Sequence, residues 1–269
     1  MPVPPVVLSI AGFDPSSGAG VTADIKTIAA HGCYGTACIT ALTVQSTRGV
    51  RLVAPVSADV LRATLEELTS DLPPAAVHIG MLGAGEIAGV VADFLQQSQL
   101  SNVVLDPILR SSSGAGLLDE AGLAVLRTRL LARADVITPN LDEAAVLTGI
   151  KVCSSQEMLT AADRLHELGA RAVVIKGGHL NGPETVELLS FYKDGKLRRQ
   201  EFRGARLATR ATHGTGCAFA SALASNLALK HTLPEAVSAA KQYVAAAMEH
   251  AYPLGSGAGP MNHLYRLID

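Results

Sequence analysis

The chain has 269 residues, of which 48% are hydrophobic and 17% are charged, and its formal net charge at pH 7 is −2. This balance gives no indication of a nucleic acid or an anionic membrane as a partner, and no apolar run reaches the length of a membrane span. The first residues, Met1 to Pro5, lack the charged region of a signal peptide. Four cysteines without metal-ligand spacing predict reduced thiols and a cytoplasmic location. The length allows one α/β domain over residues 1–269.

In chain order, short β-branched runs alternate with longer segments of helical spacing. The first half predicts strands over 6–10, 37–44, 53–56, 76–79 and 103–105, and helices over 21–31, 58–69 and 85–97. The second half predicts strands over 136–137, 172–175, 186–192 and 196–202, and helices over 120–132, 157–168, 216–229 and 233–251. Lys193-Asp194-Gly195 joins the last two strands and predicts an antiparallel hairpin at a sheet edge.

Apolar strands that alternate with helices predict a mostly parallel sheet covered by helices on both faces. Ligands of such sheets bind beyond the carboxyl ends of the strands. Polar residues and glycines lie mostly at those predicted ends, and the set comprises Gly12, Gln45, Gly80-Met81, Asp106, Asn140 and Lys176. The pattern therefore predicts a ligand crevice along this edge.

The most informative segment is the loop before the helix predicted at 216–229, where Gly214, Thr215 and Gly216 precede Cys217. The first N–H groups of a helix have no internal partner and lie at the positive end of its dipole, so a glycine-rich start predicts an anion site. A cysteine there is expected to have a lowered pKa. Two simpler interpretations remain: Cys217 is a small packed residue, and His213 is a hydrogen-bonded packing residue.

Gln45 and Lys176 each end a predicted strand. A primary amide donates and accepts hydrogen bonds, so Gln45 can pair with an aminopyrimidine edge; the alternative is a strand-end glutamine satisfied by the backbone. Lys176 is followed by two glycines, which predicts an ammonium carried into the crevice as a phosphate ligand. The alternative for Lys176 is a surface lysine.

Three acidic residues allow two interpretations each. Asp106 is either a turn residue or a group near a metal or bound phosphates. Asn140 is a good N-cap, and Glu143 either completes a capping box or orders Mg²⁺ through water. Asp24, on an early helix turn, is typical of a surface residue or a dipole complement unless it faces the pocket.

Together these segments resemble the hydroxymethylpyrimidine kinase/phosphomethylpyrimidine kinase family of thiamine biosynthesis. The resemblance runs almost end to end and rests on the ordered motifs IAGFD (10–14), GAG (18–20), ADIKT (23–27), TALTVQSTRGV (40–50), IGML (79–82), DP (106–107), TPN (138–140), EA (143–144), KGGH (176–179), THGTGC (212–217) and GAGP (257–260). The family implies a ribokinase-like three-layer α/β/α sandwich without a large lid, and a homodimer.

The resemblance also implies a role for each matching position, with ATP and Mg²⁺ as cofactors. The residues around the pyrimidine would be Gln45, Gly12, Thr43 and Met81, with Asp24 near the hydroxymethyl group. The backbone from Gly214 through Thr215 and Gly216 to Cys217 would hold the transferring phosphoryl group, Lys176 would contact the ATP phosphates with Asn140 nearby, and Asp106 and Glu143 would support Mg²⁺.

Cys217 is the mechanistic question, because many members of the superfamily have an aspartate base at this position. The family is credited with two successive transfers, to a hydroxymethyl oxygen and then to the resulting monophosphate. An alcohol must lose a proton, whereas a phosphate monoester is largely anionic at pH 7. We therefore hypothesise that Cys217 acts as a base mainly in the first transfer.

Three other functions compete with this interpretation. Pyridoxal kinase is the nearest, but the pyridoxal enzymes of this type carry a second cysteine after Asp-Pro, where this chain has Arg110-Ser111-Ser112-Ser113. A non-catalytic pyrimidine-binding protein would not need the charged set together with Cys217. A NAD-dependent dehydrogenase is disfavoured because the turn over 14–20 lacks the dinucleotide fingerprint and also the P-loop spacing.

Overall fold

The fold is built on one mixed sheet, seen in a computed structural model that describes residues 2–111 and 113–267. Ser112 of the loop discussed above lies outside the described residues. The sheet order is β3-β2-β1-β4-β5-β6-β7-β8-β9. The strands are β1 (Val6–Phe13), β2 (Tyr34–Ser46), β3 (Gly49–Pro55), β4 (Ala76–Ile79), β5 (Val103–Leu105), β6 (Val136–Ile137), β7 (Ala172–Lys176), β8 (Glu184–Lys193) and β9 (Lys196–Ala205).

The six central strands, β2, β1, β4, β5, β6 and β7 in sheet order, run parallel. At the two edges of the sheet, β3, β8 and β9 are joined by antiparallel pairing. This confirms the predicted mostly parallel sheet with an edge hairpin. The opposite edge differs from the prediction. The short strand predicted at 53–56 begins at Gly49 and pairs antiparallel with β2, so that Val44 stands opposite Leu52.

Helices cover both faces, as the sandwich architecture requires. They are α1 (Gly20–Ala30), α2 (Ala58–Asp71), α3 (Gly85–Gln97), α4 (Glu120–Val125), α5 (Leu141–Thr148), α6 (Ser155–Glu167), α7 (Thr215–Ala228) and α8 (Leu233–Glu249). The helix predicted over 120–132 changes to a π-helical turn at Leu126–Leu130. No helix in the described ranges is long and apolar enough to cross a membrane.

Alternation along the central strands separates two hydrophobic cores. Leu8 and Ile10 of β1 face the core built with α2 to α6, whereas Val7 faces the core built with α7 and α8. On this second face α7 packs against β4 and β5 and also against α1. The N-terminus of α7 is thereby held over the carboxyl ends of the central strands, where the sequence predicts the ligand crevice.

Candidate active site

The first turn of α7 has the geometry of an anion site. Gly214 is its N-cap residue in the left-handed region at φ 77°, and no side chain of the described residues caps the turn. The first α-helical bond of the turn runs from the Ala218 N–H to the Gly214 carbonyl at 2.9 Å, so the preceding N–H groups lack helical partners. These free donors point out of the helix at the positive end of its dipole.

The loop that contains Gly18 packs closely against residues 213–217, here called the anion loop. A Cβ added at Gly214 would stand 1.9 Å from the carbonyl oxygen of Gly18, and one at Gly18 would stand 2.3 Å from the His213 ring. His213 N–H also donates to the Gly259 carbonyl at 3.2 Å. The glycines at 18, 214 and 259 therefore bring three separate chain segments together around the start of α7.

Lys176 and Asp106 lie directly beside this turn. Lys176 Nζ donates to Asp106 Oδ1 at 2.6 Å, and Thr138 Oγ1 donates to the same oxygen at 2.8 Å. A Cβ added at Gly216 would stand 3.1 Å from Lys176 Nζ. Burial disfavours the ammonium, but the Asp106 charge overcomes this effect and raises the pKa of Lys176. A permanent positive charge thus adjoins the free N–H groups.

Asn140 and Glu143 form the predicted capping box, and this does not exclude a role of Glu143 in ordering Mg²⁺ through water. Asn140 Oδ1 accepts from the Glu143 N–H at 2.9 Å, and Glu143 Oε2 accepts from the Asn140 N–H at 2.8 Å, which is a capping box. Burial raises the pKa of Glu143 to about 7, and the negative charge of Asp106 contributes to the rise while Lys176 opposes it. Two carboxylates therefore interact at this end of the site.

The expectation of a lowered pKa for Cys217 is wrong. Burial raises the pKa of this thiol, and the nearby carboxylates of Asp24 and Asp106 raise it further. A backbone hydrogen bond from Gly20 and the charge of Lys176 act in the opposite direction but are weaker. The helix N-terminus does not determine the protonation state here, and the thiol is neutral at pH 7.

Gln45 lies at the other end of the site in a chain of hydrogen-bonding groups. Thr43 Oγ1 donates to the Phe13 carbonyl at 2.9 Å and lies 3.2 Å from Gln45 Oε1. The Gln45 amide nitrogen lies 3.2 Å from His213 Nε2, which is also 2.8 Å from Asp14 Oδ2. His213, which begins the anion loop, thus contacts Gln45, the residue predicted to bind the pyrimidine.

Asp14 was not singled out by the sequence, yet it organises the loop under the site. Its carboxylate accepts from the Ser16 and Ala19 N–H groups at 2.8 and 2.9 Å. Burial opposes ionisation, but hydrogen bonds from His213 and Ser16 lower the pKa of Asp14. An aspartate followed by Pro-Ser-Ser-Gly is typical of a side-chain-stabilised turn and was the available signal.

The structure also brings two other predicted pocket residues, Gly12 and Met81, into contact. A Cβ added at Gly12 would stand 3.0 Å from Met81 Sδ. A cleft of about 230 Å³ adjoins Gln45 and His213. Its other lining residues are Ser46, Thr47, Arg48, Gly49, Val50, Ser111, Ser113, Gly257 and Ala258.

Asp24 does not line this cleft. Its side chain is fully buried, and it accepts from Ser9 Oγ and Ser221 Oγ at 2.6 Å each. The buried His78 contacts the same carboxylate. Neither the surface interpretation nor a place beside a substrate hydroxymethyl group fits this burial. Asp24 lies beneath the first turn of α7, where its charge acts on Cys217.

This combination of sheet, glycine-rich helix start, partly buried lysine and neighbouring carboxylates is typical of a ribokinase-like small-molecule kinase. The family model described as phosphomethylpyrimidine kinase matches residues 14–262, and the chain belongs to that family. The hydroxymethylpyrimidine/phosphomethylpyrimidine kinase of Aquifex aeolicus is 40% identical over 94% of this chain and 97% of its own length. The thiamine biosynthesis bifunctional protein ThiED of Geobacter sulfurreducens is 42% identical over 98% of this chain, which spans 53% of that protein.

Solved structures show the same fold. An ADP complex of Bacillus subtilis pyridoxal kinase superposes with a TM-score of 0.88 at 33% identity and covers 99% of this chain and 100% of that one. A phosphomethylpyrimidine kinase from Clostridium difficile superposes with a TM-score of 0.78 at 35% identity and covers 90% and 99% of the two chains. The ribokinase-like fold predicted from the motifs is therefore confirmed.

Proposed function

We propose that this chain is an ATP-dependent kinase of thiamine biosynthesis that phosphorylates 4-amino-5-hydroxymethyl-2-methylpyrimidine and then its monophosphate. The observation that carries the proposal is the placement of Lys176 beside the free N–H groups of α7. The same loop contacts Gln45 through His213. Phosphoryl transfer depends mainly on positioning and charge stabilisation, which these groups supply. The kinase names of the relatives agree with it.

In this mechanism each end of the site has a separate task. The Gln45 amide pairs with the aminopyrimidine edge and directs the hydroxymethyl group toward α7. The N–H groups from Gly214 to Cys217 hold the transferring phosphoryl group, and Lys176 neutralises the developing charge on the ATP phosphates. Asn140 stays near the nucleotide as the cap of α5. These roles and a single domain over residues 1–269 remain our predictions.

Mg²⁺ is proposed at Asp106 and Glu143. No cluster of three or more His, Cys, Asp or Glu residues converges among the described positions. A magnesium ion in a kinase needs only one or two carboxylates, with water and phosphate as the other ligands, so the carboxylates of Asp106 and Glu143 fit it. Burial and, to a smaller degree, the charge of Asp106 raise the pKa of Glu143, and a divalent cation would relieve the repulsion between the two carboxylates. When bound, the ion would neutralise phosphate charge.

Pyridoxal phosphorylation is the second candidate activity, because a pyridoxal kinase shares the fold at a TM-score of 0.88. The loop after Asp106-Pro107 has arginine and serine at residues 110–113, without the second cysteine of that enzyme type. We therefore expect pyridoxal to be at most a side substrate. A non-catalytic binding protein would not require Lys176 to be held on Asp106 beside the anion loop.

A homodimer and a cytoplasmic location also belong to the proposal. Beyond the Phe13–Leu42 pair, β2 pairs only with β3, so residues 43–46 and 49–53 form a two-stranded ribbon. Leu42, Val44 and Leu52 are about half exposed at this edge. Such a ribbon is marginal alone in water, which favours a second copy as its cover.

The test is ADP release by the purified full chain with ATP and Mg²⁺. Hydroxymethylpyrimidine, its monophosphate and pyridoxal are compared in parallel, with a Lys176→Met variant as the control for contaminating kinases. We expect release with both pyrimidines and weak release with pyridoxal. No release with either pyrimidine would overturn the proposal, and release with pyridoxal alone would favour the second candidate.

A further inference from the structure

The second core contains a buried charged cluster that phosphoryl transfer as described above does not use. It consists of His78 on β4, Asp24 on α1, Ser9 on β1 and Ser221 on α7, all of them fully buried. His78 Nδ1 lies 3.2 Å from Asp24 Oδ2 and 3.1 Å from Ser221 Oγ. Because the carboxylate only accepts hydrogen bonds, Nδ1 carries a proton.

The cluster contacts the first turn of α7 through Ser221. Ser221 Oγ lies 2.8 Å from the carbonyl oxygen of Cys217, one helical turn earlier. The other side of the His78 ring faces Gly80, where an added Cβ would stand 3.7 Å from Nε2. Nε2 is buried and has no hydrogen-bond partner among the described residues. The ring therefore extends from Asp24 toward Gly80, which directly follows the carboxyl end of β4.

The position of His78 bears on the balance of charge around the first turn of α7. Two carboxylates, Asp24 and Asp106, lie close to the first turn of α7, which must attract multiply charged phosphates. Lys176 is the counter-ion of Asp106. Within the described cluster, His78 is the basic group in contact with Asp24. A buried carboxylate without a counter-ion would repel the phosphoryl group across a medium that screens poorly.

We propose that His78 is a positioning residue whose imidazolium is the counter-ion of Asp24 and keeps the anion loop free of uncompensated negative charge. The inference rests on the proposed phosphoryl transfer. The charged groups that act on His78 are Asp24 from α1, Asp106 after β5 and Lys176 at the end of β7. Burial disfavours the imidazolium, but the Asp24 charge and hydrogen bond raise the pKa of His78.

The central experiment separates charge from hydrogen bonding. His78→Asn keeps a donor near the Nδ1 position and removes the ring charge, whereas His78→Asn/Asp24→Asn removes both charges. We expect His78→Asn to lower kcat roughly 10- to 100-fold, the scale of one unbalanced nearby charge, with little change in the KM of the pyrimidine. The double variant is expected to recover most of that loss. A double variant no more active than His78→Asn would overturn the proposal.

The matched control is His166→Asn. His166 is a partly buried histidine of α6 whose Nδ1 and Nε2 contact the Ala170 carbonyl and Ser190 Oγ. Its ring contacts the segment just before β7, at the end of that strand opposite Lys176. The loss of this ring should therefore lower thermal stability without lowering kcat. A loss of kcat equal to that of His78→Asn would show that any lost histidine contact suffices and would contradict the counter-ion role.

A spectroscopic measurement tests the ion pair without activity. Nitrogen-15 NMR of histidine-labelled wild type, assigned by the signal missing in His78→Asn, should show an imidazolium that persists above pH 6.5, the ordinary pKa of histidine. Asp24→Asn should move the titration to lower pH. A neutral ring at pH 6 in the wild type would refute the ion pair, whatever the activity of the variants. Inactive wild type with a persistent imidazolium would refute the proposed function instead.

Discussion

At the scale of single residues, Cys217 shows how a local rule is outweighed by its surroundings. The start of α7 favours a thiolate, but burial and two carboxylates raise the pKa of the thiol. A neutral thiol can accept no proton until it ionises. If it acts as a base, the active fraction below the pKa increases tenfold with each pH unit, so the pH dependence identifies the role.

We expect Cys217→Ala to lower transfer to the hydroxymethyl group about 100-fold and transfer to the monophosphate less than about threefold. The reason is that only the alcohol needs a base. The first transfer in the wild type should accelerate from pH 7 to pH 9, because the pKa of Cys217 is raised and the thiolate fraction is still growing; this slope should vanish in the variant. Separate ADP-release assays with the two substrates measure both effects. Equal losses in both steps would contradict the base role.

Lys176 and Asp106 form a pair in which stability and activity can be separated. Asp106 is 2% exposed, so Lys176→Met leaves a nearly buried charge without its partner. We expect a loss of about 3 kcal/mol in unfolding free energy. Adding Asp106→Asn should restore most of that stability but not the activity, because the phosphate ligand is still absent. Urea unfolding and ADP release on the same samples check this, and restored activity in the double variant would exclude a phosphate role for Lys176.

At the scale of elements, the site is made by the close packing of two loops on the first turn of α7. Gly214 has a left-handed backbone and no space for a Cβ beside the Gly18 carbonyl. We expect Gly214→Ala to displace the loop, abolish phosphoryl transfer and lower stability by a few kcal/mol, roughly the cost of a strained backbone plus a clash. Activity and thermal unfolding are the measurements.

Gly89 provides the matched control for that change. It lies inside α3, and an added Cβ meets nothing within 4 Å. Gly89→Ala should therefore stabilise the protein by about 0.5 to 1 kcal/mol and leave activity unchanged, because alanine is the better helix former. A Gly214→Ala enzyme as active as Gly89→Ala would mean that the anion loop does not hold the phosphoryl group.

The same scale explains which elements the sequence could predict. The strands at Ala76–Ile79 and Val103–Leu105 match their predicted bounds, because short buried apolar runs leave no alternative register. The first four residues of β3 were missed, because Gly49-Val50-Arg51-Leu52 is not a continuous apolar run, although only two residues connect β3 to β2. Lys176 and Asp106 were predicted near each other by the strand-end rule.

The contacts between buried polar side chains could not be predicted from the sequence, for a different reason. His78 lies within a four-residue apolar strand, so its position predicts only a core residue. Its partner Asp24 is on the first helix, and nothing local indicates that the two side chains meet. The predicted direction of the Cys217 pKa shift was wrong for the same reason, because burial of the thiol and the carboxylates from α1 and from the end of β5 all depend on tertiary packing.

At the scale of the whole molecule, the sheet has two unlike edges. At one edge β8 and β9 pair over ten residues in a long hairpin. At the other, the ribbon beyond Leu42 is only two strands wide and presents Gln45 on the face opposite Val44. The residue proposed to bind the pyrimidine is thus carried by an element of low intrinsic stability, and we expect its order to depend on what covers the ribbon.

The proposed cover, a second copy of the chain, gives the last prediction. Leu52→Glu places a charge in the half-exposed apolar face of the ribbon and should convert the dimer to a monomer in light scattering. Because Gln45 then loses support, the KM of the pyrimidine should increase severalfold while the KM of ATP stays unchanged. Leu197→Glu is the control, since Leu197 is an exposed residue at the opposite edge and should alter neither mass nor KM. A wild type with the mass of one 269-residue chain would refute the dimer, and a monomeric variant with unchanged KM would uncouple it from substrate binding.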